Sequence, residues 1–182
     1  MPYWMTSAAA DEYFSAMAQH LQFSDVQVFA MPPYVTLVRS GSFEVEACAK
    51  LANLCDLRER FAQMLQLRHV ATAVAVRAIN VHIPSPRLTT QRRKDTIHSV
   101  LQRCTKEAVW VVGGDLNTKP GLLKDTVQAY EPALSQSFDV PSHGDLAVSK
   151  GVRLIQRDAW VGKRFSGASD AHDLVVVAGH LS

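Results

Sequence analysis

Cysteine is scarce and unpatterned. Cys48, Cys55 and Cys104 are the three in the chain, and no two of them form a CxxC pair. That spacing argues against a zinc centre, and an odd count reads most simply as free thiols in a reducing compartment. Excess charge of one sign is also missing. Lys and Arg number 19 against 17 Asp and Glu, a formal charge of +2, so any nucleic-acid surface would have to be local. The densest basic spot, Arg92-Arg93-Lys94, reads as a solvated helix start. No uncharged apolar run approaches the roughly 18 residues of a membrane span. The opening MPYWMTSAAADEYF lacks the basic and apolar regions of a secretory signal. The expectation is a soluble, intracellular protein. Aromatic residues are scattered and build no stacking platform of the kind that single-strand binders use. There is no internal repeat and no low-complexity tract.

What is present is enough apolar material for a core. Hydrophobic residues make up 47% of the 182 and charged residues 20%, which suits one globular domain over residues 1–182. Residues 11–22 set Phe14, Met17, Ala18 and Leu21 on one helical face, with Asp11 and Glu12 at its start. Short β-rich runs follow at 26–29, 35–39 and 43–46, punctuated by Pro32-Pro33 and Ser40-Gly41. Residues 47–55 read as a short helix. Strands are expected at 61–67 and 72–83; the latter is apolar on both faces near its end, as a central strand would be. Residues 91–106 place Ile97, Val100, Leu101 and Cys104 at i, i+3, i+4 and i+7, the clearest amphipathic helix in the chain. A strand at 109–112, a helix at 122–130 and late strands at 145–149, 154–156 and 174–178 complete the reading. Sheets would carry the core.

Polar residues stand at the ends of four apolar strands: His82 in INVHIPSP, Asp115 and Asn117 in GGDLN, Asp145 in HGDLAVSKG, and Asp170 with His172 in SGASDAHDLVVV. Strand ends and the loops after them are where a scaffold places its chemistry. Each alone has an ordinary explanation, since Asp and Asn after a strand commonly bond their own backbone. Four together suit phosphate-ester hydrolysis. Carboxylates can hold Mg²⁺ or handle water, an uncharged carboxamide can donate to a phosphoryl oxygen, and imidazoles can move a proton near neutral pH.

Taken in order, NVH, GGDLN, HGDLAVSKG and SDAH resemble the endonuclease/exonuclease/phosphatase superfamily. It includes DNase I-like nucleases, abasic-site endonucleases, deadenylases, neutral sphingomyelinases and inositol-polyphosphate phosphatases. The resemblance runs from about Phe61 to the end of the chain. It implies an α+β fold, a four-layered α/β/β/α DNase I-like sandwich. It also implies Mg²⁺-dependent (or Mn²⁺-dependent) hydrolysis of a phosphoric ester by a metal-activated water. The substrate could be a nucleic acid, nucleotide, inositol phosphate or phospholipid head group. By the same resemblance Asp115 is the catalytic aspartate, also near the metal, and Asn117 orients the phosphate. His82 contacts the scissile phosphate, Asp145 orients the catalytic histidine, Asp170 lies by the metal and His172 is that histidine. Asn80 is a second-tier hydrogen bonder.

The sequence departs from the family pattern in two places. Ala171 separates Asp170 from His172, where the family has Asp-His. An extended segment would still put both side chains on one face; a bulge could restore the family's spacing, or Ala171 could stand in the histidine's place. The family's early metal-binding glutamate, in a Leu-Gln-Glu motif, should fall near residues 5–7, where MTS stands. The expectation is therefore a sandwich incomplete at its N-terminal sheet, a truncated product or a fragment. It also leaves a second reading open, a catalytically impaired relative that binds phosphate ligands or a protein.

Overall fold

The computed structural model describes residues 25–31, 34–52, 54, 62–83, 89–104, 108–118, 122–123, 125–126, 136–137, 145–150, 152–160 and 174–181, with Ala8, Glu12, Ser15 and Ala16. From residue 136 onward the description is of the backbone. In chain order the elements are β1 (Val26–Met31), β2 (Tyr34–Arg39), β3 (Phe43–Leu51), β4 (Ala62–His69), β5 (Ala75–Asn80), α1 (Thr90–Cys104), β6 (Trp110–Asp115), β7 (Gln136–Ser137), β8 (Asp145–Lys150), β9 (Val152–Trp160) and β10 (Leu174–Leu181). Ala8, Glu12, Ser15 and Ala16 are helical, in keeping with an early helix, and all four are exposed.

The main sheet has six strands in the order β3-β4-β5-β6-β8-β7. Its pairs are antiparallel except β5–β6. A parallel pair needs a crossover, and α1 supplies it. The helix forms where the sequence periodicity placed it. Thr89 caps its start, its hydroxyl accepting from the Arg92 amide at 3.3 Å. At the other end the Arg77 guanidinium donates to the Arg103 carbonyl at 2.5 Å, a cation on the negative end of the helix. The stripe Ile97, Val100, Leu101 and Cys104 is at most 3% exposed.

The sheet separates two cores. On one face α1 packs with Ile79, Val81, Ile83, Trp110, Val112 and Leu116. On the other, Leu65, Leu67, Val76 and Ala78 meet Val38 and Phe29 of the β1–β2 hairpin. β5 feeds both cores from its alternate faces, as expected of a central strand. Strands β9 and β10 form a second two-stranded sheet; their connection, residues 161–173, lies outside the described residues.

Two sequence expectations need correcting. Residues 47–51 are not helical: β3 runs through them to Leu51, paired along β4. The register shifts between Val45 and Ala47, and such a bulge breaks the clean alternation that marks a strand in sequence. The strand expected over 72–83 is shorter, because Thr72 and Ala73 belong to a turn in which Ala73 takes a φ of 55°. No helix among the described residues is long and apolar enough to cross a membrane.

Candidate functional site

Strand register builds the site. Asn80 of β5 pairs with Gly113 of β6. The chain beyond β5 stays beside β6, with the Val81 amide donating to Gly113 O at 3.0 Å and the Ile83 amide to Asp115 O at 2.7 Å. Continuing that register two residues sets His82 beside Asp115. Val81 and Ile83 go into the helix-side core, so His82 takes the opposite, hairpin-facing side. Its Nε2 lies 3.5 Å from Asp115 Oδ2. On the far side of β6, Asp115 pairs with Asp145 of β8. His82, Asp115 and Asp145 thus occupy one row across three strands.

Four residues of the GGDLN segment, Gly114 to Asn117, each have a local structural reason. Gly114 has a φ of +128°, and a Cβ there would sit 2.2 Å from the Val81 carbonyl oxygen. Only glycine lets β6 approach the end of β5 this closely. Leu116 is 2% exposed and anchors the turn in the helix-side core, a burial that stabilises by about 2 kcal/mol. Asn117 takes a φ of 43°, a left-handed conformation that Asn tolerates better than most residues. Its amide donates to Asp115 Oδ1 at 2.9 Å, and its side-chain Nδ2 donates to Ile83 O at 2.7 Å. That last bond sharpens the sequence expectation. One N–H of the carboxamide ties the two strand ends together, and the second has no partner among the described residues.

Arg93 was not expected here. Read as part of a solvated helix start, it instead donates from Nη1 to the Asn117 carbonyl at 2.8 Å. The first turn of α1 and a guanidinium therefore back the loop that carries Asn117. The basic triplet was visible in the sequence, but the long-range contact was not.

Tyr34, Thr36 and Gln63 were also missed. Gln63 is fully buried on the hairpin-facing side of β4, opposite Asn80. Its Nε2 donates to Phe29 O at 2.8 Å and its Oε1 accepts from Thr36 Oγ1 at 2.7 Å. Asn80 Nδ2 donates to Val35 O at 3.1 Å. Tyr34 OH accepts from the His82 amide at 3.1 Å. Gln63, on the strand face that Leu65 and Leu67 share in FAQMLQL, was the available signal for this network.

His82, Asp115 and Asn117 are therefore brought together, and Asp145 joins them by backbone register. Asp170 and His172 lie outside the described residues, as do residues 5–7; Glu12 is helical and exposed. The His82 side chain is 39% exposed and that of Asp115 14%, so the pair is reachable from solvent yet partly desolvated. The described residues do not by themselves make a metal centre. Asp115 has one carboxylate oxygen bonded to an amide and the other facing an imidazole. No three His, Cys, Asp or Glu side chains cluster among them.

Compared by sequence, the chain matches no family model and no curated protein. Compared by structure, it is similar to the catalytic domain of human Nocturnin, solved with a bound sulfate anion. That match has a TM-score of 0.62 and 15% identity, covering 79% of this chain and 68% of that one. It is similar to an endonuclease/exonuclease/phosphatase from Bacteroides vulgatus, with a TM-score of 0.66, 12% identity and coverage of 94% and 82%. A mannosyl-6-phosphatase from Bacteroides thetaiotaomicron matches with a TM-score of 0.61 and 11% identity, over 96% of this chain and 94% of that one. The chain has the α+β, DNase I-like fold of the endonuclease/exonuclease/phosphatase superfamily.

Proposed function

We propose that this protein is a phosphoric-ester hydrolase. The observation that carries the reading is the convergence of His82, Asp115 and Asn117, with Asp145 as the register partner of Asp115, at the ends of neighbouring strands. A fold alone does not fix chemistry; these side chains give it content. The His82–Asp115 pair can accept a proton from an attacking water and return it to the leaving oxygen. The second N–H of Asn117 can donate to a phosphoryl oxygen without adding negative charge. Asp145 and His172 form the second proton-handling pair in this reading. A divalent ion, Mg²⁺ or Mn²⁺, would need a carboxylate beyond Asp115, and Asp170 is the residue proposed to supply it. Such an ion, when bound, polarises the phosphoryl group.

A second reading has its own support. Among the described residues no three His, Cys, Asp or Glu side chains cluster as a metal would need, and MTS stands where the family's glutamate would be. Both favour a relative that binds phosphate ligands without turning them over. The test is hydrolysis of bis(p-nitrophenyl) phosphate and of RNA by the purified chain, with Mg²⁺ and with EDTA, beside Asp115→Ala and Asn117→Ala. Nucleotides, inositol phosphates and phospholipid head groups complete the substrate array. Turnover that EDTA and both substitutions abolish supports the hydrolase. A folded chain with no turnover above its variants supports the binding relative.

A further inference from the structure

We propose that Tyr34 is a positioning residue for His82, and that the β1–β2 hairpin acts through it as a clamp on the site. This rests on the hydrolase reading for its consequence in catalysis, but not for its geometry. Even-numbered residues of β5 bond toward β4, and that pairing ends where Asn80 meets Gln63. The odd-numbered amides of Val81 and Ile83 are taken by β6. The His82 amide therefore points past the end of its ladder, and an amide left so would want a partner. Tyr34, 7% exposed and on the opposite layer, supplies it with its phenolic oxygen.

The contact is part of a pattern. Three successive residues at the start of β2 reach across the sandwich: Tyr34 to His82, Val35 O to Asn80 and Thr36 to Gln63. The interior between two sheets is ordinarily apolar, as it is here at Val38, Leu65, Leu67 and Val76. Apolar residues of similar shape in place of a buried polar network are often neutral or stabilising. A network kept at the site end of the interface, and bonded to the backbone of His82 itself, is accounted for by positioning. It holds the imidazole 3.5 Å from Asp115.

The test compares wild type with Tyr34→Phe by amide hydrogen exchange. The His82 imidazole signals are followed alongside, assigned by their loss in His82→Ala. The His82 amide should exchange about tenfold faster or more, and its imidazole signals should shift. The Val81 amide, bonded to Gly113, serves as the internal control and should stay within about twofold. Acceleration of both amides, or of neither, overturns the proposal, since a merely structural tyrosine would loosen the region as a whole. In hydrolysis, kcat should fall about ten- to a hundredfold with KM unchanged, and Val38→Ala should lower Tm while leaving kcat alone. An unchanged kcat in Tyr34→Phe also overturns the proposal. If the His82 amide alone accelerates and the imidazole shifts, yet wild type hydrolyses nothing, the clamp stands and the hydrolase reading falls.

Discussion

Adjacent glycines should respond in opposite ways to the same substitution. At Gly114 an added methyl carbon would lie 2.2 Å from the Val81 carbonyl oxygen, and the backbone there holds a φ of +128°. The obstacle is backbone, so no side chain can swing aside. Relief requires β6 and the extension of β5 to part by about 1 Å, which breaks the Val81–Gly113 hydrogen bond. The unfavourable φ costs about 1–3 kcal/mol, overpacking about 1–3 kcal/mol and the bond about 1 kcal/mol. The total is about 3–7 kcal/mol, a large share of the roughly 5–15 kcal/mol that holds an ordinary domain together. At Gly113 no described atom lies within 4 Å of where an added methyl carbon would sit. Alanine there should be neutral, or stabilising by about 0.4–1 kcal/mol through the unfolded chain. Thermal unfolding followed by circular dichroism checks both. Gly114→Ala should lower Tm by roughly 10–20 °C, and Gly113→Ala should leave it within a few degrees. Equal Tm values for the two variants would refute the close strand approach on which the geometry of Asp115 depends.

Other expectations follow from single contacts. Arg93→Ala removes the guanidinium from the Asn117 carbonyl; it should lower stability by about 1–2 kcal/mol in urea unfolding and reduce kcat, whereas a surface-only role would leave kcat unchanged. Burial pushes the Cys104 thiol up to about 12, the nearby Arg77 opposing it. Because the folded state keeps a proton that the unfolded state releases, this group's stabilising contribution is intact below about pH 9 and is lost as pH rises toward 12. Cys104→Ala should flatten that fall in a pH series of urea midpoints. Exposed Cys48 should react with a thiol reagent under native conditions, while Cys104 should react only on unfolding.

Local periodicity made much of the fold legible. The apolar stripe of α1 and the two-sided burial of β5 were written in residues three to four or two apart, and both appear where expected. The same was true of the strand ends that carry His82 and Asp115. What could not be read were contacts made at long sequence separation. Arg93 looked like any solvated basic residue because its partner lies 24 positions away. Tyr34 and His82 are 48 apart, and only the docking of the hairpin on the sheet brings them together. Residues 47–51 misled for a different reason. Their alanines and leucine suit a helix, but pairing with β4 outweighs that weak propensity.

In the proposed function His82 and Asp115 work as one proton-handling unit on a phosphoric ester. A double-mutant cycle on hydrolysis of bis(p-nitrophenyl) phosphate in Mg²⁺ tests it most directly, using wild type, His82→Ala, Asp115→Asn and the double variant. Each single substitution should lower kcat about a hundredfold or more, and the double variant should be no worse than the weaker single variant within a few-fold. Losses that multiply to about ten-thousandfold, or turnover that survives both substitutions, would contradict it.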